Sequence, residues 1–221
     1  MLRRIFLYLP EIIQHELRRL RYGMQIRRKS FKTTEIEYSL LDKWIKPGDW
    51  VLDIGANVGH YSLRLSELVG KSGRVLVFEP VPSTVDLLAS NISRAAYQNL
   101  SIFNVAVSNK TDLLGMVVPE NYPDSKYYRA HISNDTTSLN ILSISIDSLN
   151  ISHPVKLAKI DVEGHEISVL RGMESLLKRD FPILIVEGDS SEVNNYLASL
   201  AYVGKRIQGS VNQIFEPLVS S

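Results

Sequence analysis

The chain has 221 residues, a formal net charge of +1 and no cysteine, with 44% hydrophobic and 22% charged residues. This length and composition are those of one globular domain with a short appendage. The missing cysteine excludes disulfides, thiolate nucleophiles and zinc–sulfur sites. The sequence also contains no run of about 18 apolar residues, the length that a membrane-spanning helix needs.

Residues 1–30 form a basic arm that carries eight arginines and lysines against Glu11 and Glu16, a net charge of +6. Apolar residues recur near helical spacing along it, so we predict an amphipathic arm. Such an arm can make peripheral contact with an anionic membrane, bind a partner or nucleic acid phosphates, or pack on its own domain. Pro10 should interrupt a helix that begins at residue 2, which favours two short segments. The apolar stretch before Pro10 is too short for a secretory signal, so we expect a cytoplasmic protein.

Beyond the arm, residues 31–217 alternate strand-like and helix-like segments. A capping-box pattern at Thr34–Glu37 predicts a helix that precedes the first strand. Parallel strands are predicted at 51–54, 75–78, 100–107, 159–163 and 183–187, helices at 61–69, 84–94, 167–177 and 193–200, and a closing antiparallel pair at 202–207 and 212–215. The pattern predicts an α/β fold, a doubly wound and mostly parallel seven-stranded sheet with a C-terminal antiparallel hairpin.

Residues 109–145 interrupt this alternation, and we interpret them as a variable insertion at the substrate site. Within it, residues 119–131 contain three tyrosines, two prolines and Arg129. Tyrosine rings stack on sugars or aromatic rings, and arginine pairs with anionic groups. This stretch is therefore the expected lid.

The first predicted strand runs directly into a glycine-punctuated turn, Asp53-Ile54-Gly55-Ala56-Asn57-Val58-Gly59. Gly55 and Gly59 let the backbone approach a ligand without a Cβ in the way, and the free N–H groups of the following helix start would face that ligand. Glu79 ends the second strand, where a carboxylate can accept hydrogen bonds from both hydroxyls of a ribose. Together these residues predict a nucleoside cofactor.

The chemistry of the turn distinguishes between two cofactors. A dinucleotide fingerprint requires small residues where the pyrophosphate and the helix approach, but two of those positions hold Asn57 and His60. Asp53 is badly placed beside a diphosphate and suits a cationic ligand. S-adenosylmethionine carries an ammonium and a sulfonium as well as a ribose, so we predict it in preference to a nicotinamide cofactor.

These motifs resemble those of the FkbM family of S-adenosylmethionine-dependent methyltransferases. Val51–Tyr61 is similar to that family's first cofactor motif, Phe78-Glu79-Pro80 to its second, and Asn104–Ser108 to the segment that meets adenine. Lys159–Glu166, with its Asp-Val-Glu-Gly-x-Glu run, resembles the family's most distinctive element. The resemblance covers residues 31–217 and implies the Rossmann-like fold of class I methyltransferases.

The resemblance also assigns residues to the cofactor site. It implies cofactor contacts by Glu35, Gly55, Asn57, Gly59, Tyr61, Glu79, Pro80, Ala106 and Asp161. Asp53 joins this set because of the charge argument above. Each of these residues can also have a purely structural role. Glu35, for example, can stabilise the first helical turn.

The predicted fourth strand carries the candidate catalytic groups. The side chains of Lys159, Asp161 and Glu163 would point to the same face of this strand if it stays extended, because they lie two residues apart. His165 starts the next helix after Gly164. Methyl transfer to a hydroxyl needs an aligned acceptor and removal of a proton. We predict Asp161 or His165 as the general base, with Glu163 orienting or binding the acceptor. The alternatives are contact of both acids with the donor's methionine portion, and helix capping by His165.

Acids end four of the predicted strands: Asp53, Glu79, Asp161 and Glu187. Carboxyl ends of parallel strands meet at one edge of a sheet, so all four should rim one cleft. A metal-assisted alternative would use Asp161, Glu187 and Asp189 to hold Mg²⁺ against a diol substrate. That spacing is unspecific, and we assign no metal ligand.

The leading prediction is an O-methyltransferase that acts on a hydroxyl of a small molecule or glycan. A nucleic-acid methyltransferase that uses the basic arm is the second hypothesis. Against this hypothesis, the chain lacks the proline-aromatic run with which amino-directed base methyltransferases stack a flipped base. Its fourth strand ends instead in Asp161-Val162-Glu163-Gly164. We therefore expect no stable nucleic acid partner. A nicotinamide oxidoreductase and a non-catalytic, membrane-associated module are the remaining alternatives.

Overall fold

The computed structural model of the chain describes residues 9–118, 130–133 and 139–218. The helices in these residues are α1 Glu11–Arg27, α2 Leu41–Trp44, α3 His60–Val69, α4 Pro82–Ile92, α5 Glu166–Arg171, α6 Glu174–Asp180 and α7 Ser191–Ser199. The strands are β1 Trp50–Ile54, β2 Arg74–Phe78, β3 Leu100–Phe103, β4 Ala106–Val107, β5 Asp112–Val117, β6 His131–Ile132, β7 Leu139–Ile144, β8 Val155–Ile160, β9 Ile183–Glu187, β10 Tyr202–Arg206 and β11 Asn212–Pro217. Short 3-10 turns lie at Glu37–Leu40 and Asp147–Leu149.

Seven strands form the main sheet in the order β10-β11-β9-β8-β1-β2-β3. Strands β3, β2, β1, β8 and β9 are parallel, whereas β11 runs antiparallel to both β9 and β10. The predicted fold class is confirmed, including the C-terminal antiparallel hairpin. The strand order reverses at β1, between β2 and β8, so the carboxyl ends of these three strands open onto a crevice.

Apolar residues cover both faces of the sheet, as expected for parallel strands buried on both sides. Leu52 and Ile54 of β1 belong to one core cluster, and Val51 belongs to the other. Because side chains alternate along a strand, Asp53 lies on the face of Val51, which α3 covers. The same alternation puts Lys159 of β8 on that face, directly across from Asp53 in the strand register.

A second sheet has four strands in the order β4-β7-β5-β6. The single strand predicted at 100–107 is therefore wrong, because β3 stops at Phe103 and β4 pairs with β7 of the second sheet. Asn104 holds the chain at this change of direction, since its side-chain amide donates to the carbonyl oxygens of Glu79 at 3.0 Å and Pro80 at 2.9 Å. The 109–145 insertion supplies the other three strands. Most of the predicted lid, residues 119–129, lies outside the described residues.

Two predicted helices are interrupted. The helix before β1 is a 3-10 turn followed by α2, and no side chain caps its start. The capping box predicted at Thr34–Glu37 is therefore wrong, and the Thr33 hydroxyl donates to Glu35 Oε1 at 3.0 Å. The helix predicted at 167–177 is divided into α5 and α6 at Gly172. A Cβ on Gly172 would lie 1.9 Å from the Ser108 carbonyl oxygen, so the backbones touch at the break.

The basic arm forms helix α1, which begins directly after Pro10. One face of α1 packs on α4. Arg19 forms an ion pair with Asp86, and His15 Nε2 lies 3.1 Å from the Ser83 carbonyl oxygen, to which it donates. Residues 1–8, where the first of two short segments was predicted, lie outside the described residues. In the described ranges, no helix combines the length and apolar character needed to cross a bilayer.

Candidate active site

A cleft of about 280 Å³ opens at the carboxyl ends of β1, β2 and β8. Its lining includes nine of the residues predicted from the sequence: Glu35, Gly55, Asn57, Glu79, Pro80, Ala106, Asp161, Glu163 and His165. Glu187, at the end of β9, lines it as well. Asp53, Gly59 and Tyr61 are absent from the lining. The crevice predicted from the strand order is therefore also where most of the predicted residues meet.

The turn after β1 is closed by its own hydrogen bonds. The backbone N–H of Gly55 donates to the Phe78 carbonyl oxygen at 3.0 Å, and that of Asn57 donates to Glu79 Oε2 at 2.9 Å. These two N–H groups are therefore not available to a ligand, and the expectation that the N–H groups at the start of the following helix face a ligand stays a prediction. Gly55 is required for a different reason, because its φ is +78° and a Cβ here would lie 1.7 Å from the Asp161 carbonyl oxygen. The ends of β1 and β8 thus meet in backbone contact.

Glu79 follows β2 and is only 6% exposed. Its Oε2 accepts the Asn57 N–H and its Oε1 accepts the Val81 N–H, both at 2.9 Å. Burial raises the pKa of this carboxyl to about 7, although the two hydrogen bonds oppose the shift. Each carboxylate oxygen keeps a further lone pair. Glu79 can therefore still accept hydrogen bonds from a ligand in the cleft.

Asn57 supplies an unsatisfied acceptor in the cleft lining. Its side-chain Oδ1 is buried and has no hydrogen-bond partner among the described residues. Its φ of +51° is also rare for a residue other than glycine. A buried amide oxygen without a partner costs free energy that a ligand N–H or O–H can recover. The ammonium and ribose hydroxyls of S-adenosylmethionine are donors of this kind, so the residues present fit that cofactor.

An apolar wall lies beside Glu79. It consists of Val81, Ala106, Met116 and Ala130, which pack in one cluster and line the cleft. Met116 belongs to β5, so the second sheet forms part of this wall. An apolar surface next to a ribose-binding carboxylate is suited to a flat, weakly polar ring such as adenine.

The end of β8 carries a charged pair that reaches from the sheet interior to the cleft. Lys159 is 3% exposed, and its Nζ lies 2.6 Å from Asp161 Oδ2. Burial disfavours the Lys159 cation, but Asp161 and Asp53 outweigh it and raise the pKa of the lysine. Burial likewise disfavours the Asp161 carboxylate, but Lys159 and a hydrogen bond from Glu187 bring its pKa below the ordinary value.

Glu187 forms a hydrogen bond with Asp161. Burial, together with the hydrogen bond to Asp161 and the charge of that group, raises the pKa of Glu187 to about 8. Glu187 is therefore mainly protonated at neutral pH, while Asp161 is ionised and neutralised by Lys159. A neutral carboxyl in the cleft can donate a hydrogen bond as well as accept one.

The residues below the cleft form a polar support. Asp53 is fully buried, and its Oδ2 accepts a hydrogen bond from Ser62 Oγ at 2.5 Å. The expectation that Asp53 rims the cleft is therefore wrong, because alternation turns its side chain toward α3. Tyr61 donates to Glu35 Oε2 at 2.6 Å, and Lys159 Nζ lies 4.8 Å from the centre of the Tyr61 ring. Tyr61 therefore does not line the cleft itself but holds the carboxylate of Glu35, which does.

His165 immediately precedes α5 and lines the cleft. Its Nε2 lies 2.9 Å from Ser108 Oγ, and Ser108 Oγ also lies 3.3 Å from Asn109 Oδ1. An amide oxygen can only accept, so Ser108 donates to Asn109 and accepts from His165 Nε2–H. Nδ1 is then the unprotonated ring nitrogen. Burial lowers the pKa of His165 despite the nearby Glu166, so the imidazole is neutral at pH 7.

Glu163 does not lie on an extended strand, as the sequence suggested. Strand β8 ends at Ile160, and both Glu163 and Gly164 have positive φ, +53° and +92°. The turn nevertheless keeps the Glu163 carboxylate at the cleft, where oxygens of Asp161, Glu163 and Glu187 lie within 4.8 Å of one another.

This acidic cluster differs from the metal set weighed from the sequence. Asp189 accepts a hydrogen bond from Gln213 at 2.5 Å and pairs with Arg206 at 2.6 Å. The three clustered acids are spaced as ligands of a divalent cation can be, with Glu163 in the position expected for Asp189.

Sequence reasoning gave no role to Lys159, nor to the apolar wall apart from Ala106. A signal for Lys159 was present, since it lies among apolar residues at the carboxyl end of the strand Val155–Ile160, whereas the strand's other lysine, Lys156, lies near its start. Such a residue is buried only when acids compensate it. The wall had no comparable signal, because Met116 and Ala130 reach the cleft only through the pairing of the second sheet.

The chain is similar in sequence to known methyltransferases. The sequence model of the methyltransferase FkbM domain matches residues 53–205. The hexuronic acid methyltransferase AglP of Haloferax volcanii is 31% identical over 133 residues, which cover 59% of this chain and 52% of that protein. The ribosomal RNA large subunit methyltransferase E of Bdellovibrio bacteriovorus is 33% identical over 91 residues, 41% of this chain and 45% of that protein.

Among solved structures, the methyltransferase FkbM of Methylobacillus flagellatus superposes with a TM-score of 0.57 at 18% identity. The match covers 76% of this chain and 43% of that one. The chain spans about half or less of the length of the curated relatives it matches. The structural likeness therefore establishes the fold, and the match of the domain model over more than half of the chain establishes the family. The chain belongs to the methyltransferase FkbM domain family.

Proposed function

We propose that the chain is an O-methyltransferase that methylates a hydroxyl group of a glycan or other sugar-containing molecule, with His165 as the general base. The observation that carries this proposal is the position of the His165 ring, which lines the cleft and whose Nε2 lies 2.9 Å from Ser108 Oγ. The hexuronic acid methyltransferase among its relatives supports a sugar as the acceptor.

In this proposal the methyl donor is S-adenosylmethionine, and different cleft residues bind its adenosine end and its methionine end. Glu79 accepts hydrogen bonds from both ribose hydroxyls, and the apolar wall packs on the adenine. Glu35, Asn57 and Asp161 offer acceptors to the ammonium of the methionine portion. Tyr61 acts indirectly, by holding the Glu35 carboxylate. The bound donor supplies an electrophilic methyl group on a sulfonium.

His165 is a better general base than Asp161. The ion pair with Lys159 lowers the basicity of Asp161, because a proton on that carboxylate would leave the buried lysine uncompensated. His165 has an unprotonated Nδ1 at neutral pH. It takes the proton of the acceptor hydroxyl as the hydroxyl oxygen bonds to the methyl carbon. The donor would supply the methyl carbon, and the electron pair of its carbon–sulfur bond would stay on sulfur in the leaving group, S-adenosylhomocysteine.

The acidic cluster defines the expected acceptor more closely. Glu163 is exposed and can accept hydrogen bonds from sugar hydroxyls, while protonated Glu187 can donate to a sugar oxygen. A carboxylate on the acceptor would be repelled by the exposed carboxylate of Glu163. We therefore expect a neutral sugar to be methylated faster than a uronic acid.

A transfer assay tests this function. The chain is incubated with S-adenosylmethionine and either neutral methyl glycosides or methyl glycosides of uronic acids, and release of S-adenosylhomocysteine is measured. We expect release that depends on the neutral sugar and yields a methyl ether. His165→Asn should lower kcat by about 100-fold and leave donor affinity unchanged. His153→Asn is the matched control, since that ring stacks on Trp50 outside the cleft.

The same assay includes ribosomal RNA fragments, because a ribosomal RNA methyltransferase is among the relatives. Methylation of the fragments without methylation of any sugar would contradict the proposed acceptor and favour the nucleic acid hypothesis. Full kcat in His165→Asn would remove His165 as the base.

A further inference from the structure

Helix α1 has an exposed apolar stripe on the side that faces away from α4. Ile13, Leu17, Leu20 and Met24 lie at spacings of three or four residues, so they share one face of the helix. Their exposed fractions are 45%, 40%, 62% and 43%, respectively. Ile12, at the edge of the stripe, is 80% exposed. Scattered exposed apolar residues are common, but a continuous row along three turns indicates a contact surface.

Exposed cations border this stripe. On a helical projection with about 100° per residue, Arg21 and Arg28 lie along one edge and Arg27 along the other. All three are exposed, and Lys29 follows directly after them. The arm as a whole carries +6, whereas the remaining residues sum to −5 because the chain total is +1. Arg21, Arg27, Arg28 and Lys29 thus place positive charge around the stripe, and the exposed acid at its edge, Glu16, is paired with Arg19.

The opposite face of α1 is fixed to the domain. Arg19 pairs with Asp86 of α4, and the Tyr22 ring packs edge-on against Phe31 at 5.4 Å. The stripe cannot turn inward without breaking these contacts. Its exposure is therefore a property of the folded domain.

We propose that this face of α1 binds an anionic lipid surface, with the helix parallel to the membrane plane. Ile13, Leu17, Leu20 and Met24 enter the boundary between headgroups and acyl chains, and the bordering arginines contact lipid phosphates and carboxylates. Charge complementarity selects this occupant. A second copy of the chain would bring two arginine-bordered stripes together, and a nucleic acid would leave the apolar row exposed to water.

Docking would also orient the active site. Ser83 and Asp86, which hold α1, lie in the first half of α4, and Val81 of the apolar wall directly precedes that helix. The cleft is thus rigidly connected to the surface that meets the membrane. The membrane-binding proposal is independent of the proposed methyl acceptor. Vesicle binding is measured without an acceptor, and methyl transfer to soluble glycosides is measured without vesicles, so either proposal can fail alone.

Sedimentation of the full chain with lipid vesicles tests the proposal. One set contains phosphatidylcholine alone, and the other contains about 30% phosphatidylserine. We expect binding to the anionic set that is about tenfold tighter or more than to the neutral set, and that weakens as salt is added. The double variants Leu17→Ser/Leu20→Ser and Arg21→Ser/Arg28→Ser should each weaken binding by about tenfold or more.

Matched controls change exposed residues elsewhere. Leu113 and Val211 are 72% and 66% exposed, so Leu113→Ser/Val211→Ser removes similar apolar surface outside α1. Lys43→Ser/Lys71→Ser removes the same charge as the arginine variant at two other exposed positions. Both controls should bind like the unmodified chain. Donor affinity, measured for every variant, reports whether the domain is still folded.

Three results would overturn the proposal. The first is no binding to the anionic vesicles at low salt, and the second is equal loss in the α1 variants and the controls. The third is self-association without lipid that Leu17→Ser/Leu20→Ser abolishes, because the stripe would then be an interface between copies of the chain.

Discussion

Lys159 Nζ lies 2.6 Å from Asp161 Oδ2, and this pair connects the interior of the main sheet with the acids of the cleft. Lys159 also lies opposite Asp53 in the register of β8 and β1. One buried cation therefore compensates an acid that is fully buried and another that faces the cleft. Stability and cofactor binding should both depend on it.

Replacement of the cation should be costly. Lys159→Met keeps the length of the side chain but leaves Asp53 and Asp161 without compensation, so we expect a loss of about 3 kcal/mol or more in the free energy of unfolding. Urea denaturation measures it. The control is Lys178→Met, which breaks an exposed pair with Glu174 and should cost about 0.5 kcal/mol or less. Equal losses in the two variants would show that the buried pair has no special role.

Donor affinity should depend on pH through Glu79. The pKa of this carboxyl is raised to about 7 in the free protein. The ribose hydroxyls donate to its ionised form, so binding of the donor lowers the pKa. The dissociation constant should then increase about tenfold for each pH unit below 7 and level off above it.

The matched variant for this pH dependence is Glu79→Gln. It should bind the donor more weakly at pH 8, by about tenfold or more, because the charge-assisted hydrogen bonds are lost. Calorimetric titration across the pH range provides both measurements. If the variant retained the full pH dependence of the unmodified chain, another group would be responsible.

Ser108 should act as a positioning residue for His165. Its hydroxyl accepts from Nε2–H and so keeps Nδ1 unprotonated. Ser108→Ala should lower kcat by about tenfold while the donor dissociation constant stays the same, and Ser108→Thr should restore most of kcat. In the unmodified chain, kcat should rise with pH through a pKa below the ordinary histidine value and be flat near pH 7. A loss in Ser108→Ala that Ser108→Thr does not restore would contradict this role.

Substitutions at two glycines with positive φ, Gly55 and Gly164, can distinguish the cost of backbone strain from the cost of a steric clash with a neighbouring strand. A Cβ at Gly55 would lie 1.7 Å from the Asp161 carbonyl oxygen, whereas a Cβ at Gly164 would meet nothing within 4 Å. Gly164→Ala should therefore cost only the strain of a positive φ, about 1 kcal/mol. Gly55→Ala should cost clearly more in thermal unfolding and weaken donor binding, because β1 and β8 must separate. Similar losses at the two positions would contradict the close approach.

Most of the residues predicted from the sequence line one cleft because the strongest signals in the sequence are local. Each motif combines a buried strand with the turn that follows it, and parallel strands bring such turns to one edge of the sheet. Glu79 and the Asp161–Glu166 run could therefore be placed together without any knowledge of packing.

The features that the sequence did not predict depend on partners far away in the chain. Strand 100–107 is divided because Asn104 bonds the carbonyl oxygens of Glu79 and Pro80. The N–H groups of Gly55 and Asn57 in the glycine turn donate to the Phe78 carbonyl oxygen and to Glu79 Oε2, respectively. The direction of Asp53 follows from alternation along β1, but which face α3 covers becomes evident only in the folded sheet.

A crystal structure with S-adenosylhomocysteine bound tests the central claim most directly, through the distances from the Glu79 carboxylate to the ribose hydroxyl oxygens. We predict that both hydroxyls lie about 2.6–3.0 Å from that carboxylate, with adenine on the apolar wall and sulfur toward His165. A nucleoside bound elsewhere, with Glu79 making only its present contacts to Asn57 and Val81, would contradict the account.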